Sequence, residues 1–221
     1  MLALTLFGVF FLIALAGVPL LFSILITTVG IIWAQDLGHP LETIFLSFIG
    51  GVEPFILLAV PLFIFAGELL AQGGVGKRIV EFARVLFGWL PGGLGVVTVM
   101  SCTMFGGVSG SAIADTAAIG SLVIPAMIAR GYSRGFAAAL LAVAGTIALL
   151  MPLSIPFLIY AFISGVSMRT LSMAGLLPAL ASAIALIVVC MWHGRKTGCD
   201  NGEDRSSLPQ IWAATRDAGP A

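Results

Sequence analysis

Charged residues are scarce in this sequence, and their scarcity excludes several classes of protein. Only 9% of the 221 residues are Asp, Glu, Lys or Arg, whereas about 25% is usual in a soluble domain. Ten basic residues balance ten acidic ones and no stretch concentrates Lys and Arg, so nucleic-acid binding has no electrostatic basis. Intrinsic disorder, which requires low hydrophobicity, is excluded as well. With 60% hydrophobic residues and a mean hydropathy of +1.15, the chain is predicted to be an integral membrane protein in a lipid bilayer.

Cysteine and histidine are also rare, which argues against a disulfide framework and against most metal sites. The three cysteines form no paired spacing, and two of them, Cys102 and Cys190, lie inside apolar stretches. Of the two histidines, His39 lies in a polar connection outside the membrane and His193 lies at the cytoplasmic end of the last apolar stretch. We therefore expect no cofactor and no transition-metal centre.

Four uncharged regions are long enough to cross a membrane, which requires roughly 20 apolar residues. They are 2–33, 54–71, 135–168 and 171–193. The first could be one kinked crossing or two crossings divided at Gly17–Pro19. Region 135–168 is predicted to be broken at 151–156, where Pro152 and Pro156 each remove a backbone donor. Residues 1–193 are thus predicted to form a membrane domain, followed by a polar tail over 194–221.

Residues 75–90 differ from these regions because apolar and charged residues alternate there with helical spacing. We predict an amphipathic helix at the membrane interface. We predict that the basic residues of this helix, and those near positions 130 and 195, lie in the cytoplasm, because loops rich in Lys and Arg favour the cytoplasmic side. Arg169 is then predicted to lie outside.

Small residues dominate the stretch 106–121, where twelve of sixteen residues are Gly, Ala, Ser or Thr. Close helix packing explains their size, but it does not explain the hydroxyl groups around Gly110 or the nearby Asp115. A carboxylate in the membrane should face protein or a polar cavity. We therefore predict a re-entrant helical hairpin over 93–129, with its tip at 108–111.

The hairpin tip and the proline break together predict an ion and substrate site. Broken helices in secondary transporters expose free carbonyls to a cation and helix N-termini to an anionic group. The predicted sodium ligands come from Ser109, Gly110, Ser111, Met151, Pro152 and Ser154, and the predicted substrate contacts are Ser111, Asp115 and Thr146. These are oxygen ligands, which suit a hard alkali cation.

The order of these motifs resembles the large permease subunit of tripartite ATP-independent periplasmic (TRAP) transporters, the DctM-like family. The resemblance rests on the run from Phe105 to Gly120, on Ile124-Pro125, on Arg130-Gly131-Tyr132 and on Pro152 to Pro156. It implies an all-α fold consisting of one repeat of an inverted-repeat elevator-type transporter, with a re-entrant hairpin and a broken transmembrane helix. It also implies that 194–221 is the cytoplasmic connector tail between the repeats. Because an inverted repeat needs an odd number of crossings, it favours dividing the first region into 2–16 and 18–33.

The same resemblance implies a function and a set of partners. Large subunits of this family take part in sodium-driven uptake of organic acids such as C4-dicarboxylates or sialic acid across the bacterial inner membrane. Their partners are a small membrane subunit and a periplasmic substrate-binding protein. The present chain is half the length of a typical large subunit, so a second half of the permease is an expected partner.

Two other functions compete with this reading. Gly107-Val108-Ser109-Gly110 matches the Gly-x-Ser-Gly pattern of intramembrane serine proteases, although neither histidine is well placed to activate Ser109. The chain could also be a non-transporting fragment. We favour a transporter component over an enzyme.

Overall fold

The computed structural model describes residues 2–34, 41–52, 58–152, 154–200, 202, 212 and 214–216. These residues form an all-α fold, as predicted, with no β-strand among them. The helices are α1 (Leu2–Leu15), α2 (Leu20–Ala34), α3 (Leu41–Val52), α4 (Ala59–Gln72), α5 (Val75–Phe87), α6 (Gly93–Ser109), α7 (Ala112–Ala129), α8 (Arg134–Thr146), α9 (Ile155–Ser164) and α10 (Met168–Thr197). A short 3-10 helix, Ile147–Leu150, continues α8.

Helical segments long and apolar enough to cross a membrane occur in the second half of the described chain. They are Ala112–Ala129, Arg134–Ser164 taken across its break, and Met168–Thr197. Helices α4 and α5 add a fourth if they count as one span bent by 65°. The protein is therefore a multi-pass membrane protein by the length and composition of its helices.

The chain divides into two compact units, 1–54 and 55–221. Within the first, α1 and α2 are separated by a turn in which Gly17 has a φ of +90°, a conformation that favours glycine. Ser23 donates a hydrogen bond to the Val18 carbonyl oxygen over 3.1 Å and, with Thr27 and Ile31, forms the buried stripe of α2. Sequence analysis predicts nothing for the region where α3 forms.

The second unit is built around α6, against which both α5 and its hairpin partner α7 pack. Twelve of the 17 residues of α6 are buried. The buried face of α5, which includes Gly76 and Ile79, packs in part against Ala118 and Ile119 of α7. The charged face of α5 is exposed. The apolar face of this amphipathic helix therefore contacts protein, and its position relative to a membrane surface stays a prediction.

The break between α8 and α9 begins earlier than the prolines alone predict. Regular α-helix ends at Thr146, the 3-10 turn follows, and α9 starts at Ile155. Helix α10 is also longer than the predicted crossing and runs to Thr197, where Gly198 ends it with a φ of +62°.

Candidate ion and substrate site

The tip of the hairpin is a tight reversal between α6 and α7. Gly110 ends α6 in the left-handed region, with a φ of +60°, and its N–H donates to the Gly106 carbonyl. Ser111 then begins α7 as its N-cap, because its Oγ accepts a hydrogen bond from the Ala114 N–H over 3.4 Å. Glycine and serine are the residues that these two positions favour, so the local sequence explains the tip.

Asp115 lies one turn into α7 and is fully buried. The hydroxyl of Ser109 donates a hydrogen bond to its Oδ1. Ser109 is itself buried, and its Oγ also accepts a bond of 3.3 Å from the Ser111 N–H. Asp115 Oδ2 has no hydrogen-bond partner within the described part of the chain. An unpaired buried carboxylate oxygen is costly, so Asp115 is a candidate ligand group.

The break between α8 and α9 contributes a second set of polar groups. Ser154 is fully buried, and its Oγ donates to the Leu149 carbonyl over 2.8 Å. Its N–H donates to the Met151 carbonyl, and the Met151 N–H donates to the Ala148 carbonyl. This part of the break thus folds back on itself, which satisfies some of the backbone groups that leave the regular helix.

The hairpin tip and the break meet at Gly106. A methyl group placed on Gly106 would lie 2.6 Å from Ala148 Cβ and 2.9 Å from Asp115 Oδ2. The missing side chain at position 106 therefore lets the 3-10 turn approach the hairpin, and it brings the turn close to the unpaired carboxylate oxygen. On the other side, a methyl group placed on Gly67 of α4 would lie 3.6 Å from the Ser109 carbonyl oxygen, which is ordinary van der Waals contact.

The predicted site residues fall into two groups. Ser109, Gly110, Ser111 and Asp115 lie together at the tip, whereas Met151, Pro152 and Ser154 lie in the break. Thr146 is exposed and its hydroxyl donates to the Val143 carbonyl of its own helix. The structure joins the two groups through Gly106, Ala148 and Asp115, and the assignment of ligands within them stays a prediction.

Sequence analysis missed Gly67 and Ala148, and it missed one polar residue far from the tip. Asp200 follows α10 and is 3% exposed. Its only signal in the sequence is an acidic residue two positions after a glycine that ends a helix, which is too common a pattern to identify a buried carboxylate.

An intramembrane protease would require a nucleophilic serine and a histidine base close to it, and the surroundings of Ser109 and His193 do not support this function. Ser109 donates to Asp115, whereas His193 stacks on Phe136 with ring centroids 3.8 Å apart. His39 lies outside the described residues.

Comparison with known proteins decides between the readings. The family model for the DctM component of tripartite ATP-independent periplasmic transporters matches residues 2–221. The chain belongs to the DctM family. The resemblance seen in the sequence motifs is confirmed, and the family is one of transporters, not of enzymes.

Several curated relatives carry the family's name and differ in the substrate that their names state. The C4-dicarboxylate TRAP transporter large permease protein DctM of Rhodobacter capsulatus is 35% identical over 98% of this chain and 52% of its own length. The 2,3-diketo-L-gulonate TRAP transporter large permease protein YiaN of Escherichia coli is 34% identical over 89% of this chain and 46% of its own. The ectoine TRAP transporter large permease protein TeaC of Halomonas elongata is 36% identical over 80% of this chain and 41% of its own. The chain thus spans about half the length of the curated relatives it matches.

Proposed function

We propose that the chain contributes to the large permease of a sodium-coupled TRAP transporter for an organic acid in the bacterial inner membrane. Its expected partners are a small membrane subunit, a periplasmic substrate-binding protein and a second half of the permease. Family membership supports this proposal in general. The observation that supports a site in this half is the buried Asp115 carboxylate at the hairpin tip, with one oxygen bound to Ser109 and the other unpaired.

The chemistry of these groups supports sodium coupling. Ser109, Ser111 and the backbone of Gly110, Met151, Pro152 and Ser154 supply hydroxyl and carbonyl oxygens, which are the ligands that hard cations prefer. The unpaired oxygen of Asp115 adds negative charge near Gly106, where the 3-10 turn approaches the hairpin. A cation beside it would balance a carboxylate that is otherwise expensive to bury.

Asp115 is better suited to the cation than to the substrate. An organic acid carries a carboxylate of its own, and two carboxylates in a poorly hydrated site repel each other. The start of α7 is the group that suits an anion, because its free N–H groups and the positive end of its dipole lie at Ser111. Within the proposal, Ser111 and the exposed Thr146 therefore face the substrate, and Asp115 acts through the bound sodium ion.

The sodium dependence of uptake tests this assignment. Ser109→Ala removes the only hydroxyl that donates to Asp115 among the described residues, and a hydrogen bond to a charged group contributes about 1.5–3 kcal/mol. In the complete transporter, we expect Ser109→Ala to raise the sodium concentration for half-maximal uptake by about ten-fold, which corresponds to about 1.4 kcal/mol. Ser111→Ala should raise it in the same direction.

Ser121→Ala is the matched control, because Ser121 is an exposed serine on α7 that bonds to the Ala118 carbonyl of its own helix. It should leave the sodium dependence unchanged. If Ser109→Ala and Ser111→Ala behave like Ser121→Ala, the assignment of the sodium site is wrong.

A further inference from the structure

Asp200 makes an unusually complete set of hydrogen bonds for a carboxylate in a polar tail. Its Oδ2 accepts from the Leu94 N–H over 2.8 Å and from the Tyr132 hydroxyl over 3.2 Å. Its Oδ1 accepts from Arg130 Nη1 over 3.2 Å and from the Gly202 N–H over 3.3 Å. Both oxygens of a nearly buried carboxylate are thus satisfied, and one of the partners is a cation.

These partners come from both arms of the hairpin at its open end. Leu94 is in the first turn of α6, so Asp200 satisfies an N–H that the helix itself leaves free and lies at the positive end of its dipole. Arg130 and Tyr132 follow the end of α7. Asp200 itself follows α10, so a single side chain connects the base of both arms to the end of the last helix. We call this arrangement, formed by Leu94, Arg130, Tyr132 and Asp200, the base clasp.

Close backbone contacts support the base clasp. The Gly92 N–H donates to the Asp200 carbonyl over 2.8 Å, and a methyl group on Gly194 of α10 would collide with the Gly92 backbone nitrogen. A methyl group on Gly202 would collide with the Trp89 carbonyl oxygen. The tail can therefore lie against the start of α6 only because glycine occupies these positions.

Aromatic rings extend the base clasp to α8. Tyr132, Phe136 and His193 form a stack, with centroids 5.9 Å apart for Tyr132 and Phe136 and 3.8 Å apart for Phe136 and His193. Burial raises the pKa of the Tyr132 hydroxyl above its usual range, and the Asp200 carboxylate raises it further, so the hydroxyl stays neutral and donates a hydrogen bond to Asp200.

We propose that Asp200 is a positioning residue that keeps the base of the α6–α7 hairpin closed throughout the transport cycle, so that any opening for ion or substrate is confined to the tip. The inference rests on the proposed transport function. It predicts that the tip can move relative to the break while the groups around Asp200 keep their contacts.

A reversible cross-link across the base clasp tests this inference. An ideal Cβ at position 131 lies 3.5 Å from Cys199 Cβ, within the range of about 3.5–4.5 Å found in disulfides. In the complete transporter, Gly131→Cys is oxidised to join Cys199, and sodium-driven uptake is measured before and after addition of a reductant. We expect cross-linked and reduced transporters to take up substrate at rates within about two-fold of each other. Loss of uptake on cross-linking, restored by the reductant, would overturn the inference.

Gly131→Ala is the matched control. Alanine places a Cβ atom in the same strained backbone as cysteine does, at a φ of +91°. It cannot form a disulfide, so the oxidant should not change uptake by this variant. The unaltered transporter separates the two proposals, because absence of sodium-driven uptake there would contradict the proposed function and not the base clasp.

Cysteine labelling tests the role of Asp200 without a transport measurement. In Asp200→Ala, the tail loses its anchor, and we expect the half-buried Cys199 to react with a maleimide about ten-fold faster, while Cys102 and Cys190 stay protected in the core. Asp200→Asn keeps an oxygen for the Leu94 N–H and should give a smaller increase. If Asp200→Ala exposes all three cysteines, the variant has unfolded, and Asp200→Asn decides the outcome. An unchanged rate at Cys199 in a folded variant would show that Asp200 does not hold the tail.

Discussion

At the scale of single residues, Asp115 and Gly106 depend on each other. Asp115 is the only charged side chain between Arg84 and Arg130, and it is fully buried. Gly106 provides the space for its Oδ2 and for Ala148 at the same time. A helical glycine normally destabilises a helix by about 1 kcal/mol relative to alanine, so its presence here requires a reason in the packing.

Two neighbouring glycines test this dependence. Gly106→Ala would force the new methyl group against Ala148 and Asp115, and overpacking of this kind costs about 1–3 kcal/mol. Gly107→Ala, one residue later in the same helix, meets no atom within 4 Å. We expect Gly106→Ala to lower the melting temperature of the detergent-solubilised protein and Gly107→Ala to leave it unchanged or slightly raised. Equal melting temperatures would contradict the packing described for the tip.

At the scale of helices, the parts that could be predicted from the sequence are those with local signals. Gly110 and Ser111 are a helix C-terminal glycine and a helix N-cap, and they define the reversal between α6 and α7 without help from the rest of the chain. The break could be located from its prolines only approximately. Its start at Ile147 has no local signal, because it coincides with the contact between Ala148 and Gly106, which are 42 positions apart in sequence.

The base clasp could not be predicted at all for the same reason. Asp200 and Leu94 are 106 positions apart, and nothing near Asp200 distinguishes it from an ordinary solvent-exposed acid. Helix α3 was missed because its residues, Leu41–Val52, include charge and glycine and form no long apolar run. Sequence patterns thus predict helix ends and apolar spans, whereas the contacts that join them depend on the whole fold.

The re-entrant path of the α6–α7 hairpin is a prediction at this scale. Val108 at the tip is 50% exposed, and the turn between α9 and α10 contains Val166, which is 43% exposed. In a complete transporter whose native cysteines are replaced, we expect an impermeant maleimide to label Val166→Cys rapidly from outside. Val108→Cys and Ala112→Cys should react slowly and in a sodium-dependent manner.

Val166→Cys serves as the control because both this position and Val108 are similarly exposed within the protein. Rapid labelling of Val108→Cys and Ala112→Cys from outside, indifferent to sodium, would show that the hairpin crosses the membrane completely.

At the scale of the whole molecule, the second unit carries a polar site whose groups are only partly satisfied. Small residues at the tip and the unpaired oxygen of Asp115 belong to a chain that spans about half the length of the curated relatives it matches. In the inverted-repeat arrangement that the family implies, a second hairpin and a second broken helix face the first across the site. The described residues supply one of each.

We therefore expect the 221 residues alone to be inactive in transport. Reconstituted with a binding protein and a small subunit under an inward sodium gradient, they should accumulate no more substrate than empty liposomes do. Addition of the remaining half of a large permease should restore uptake. Uptake by the 221 residues alone, abolished when the gradient is dissipated, would instead show that this length suffices for a carrier.

The long sequence separation within the base clasp has a consequence for synthesis of the protein. Leu94 leaves the ribosome 106 residues before Asp200, an interval of roughly 5–20 s at common elongation rates of about 5–20 residues per second. We expect the hairpin to form during that interval, before Asp200 is available to the Leu94 N–H, Arg130 and Tyr132. The tip, whose contact between Ser109 and Asp115 spans only six residues, can form immediately. We therefore expect the hairpin to be completed from its tip towards its base, with the contacts of Asp200 formed last.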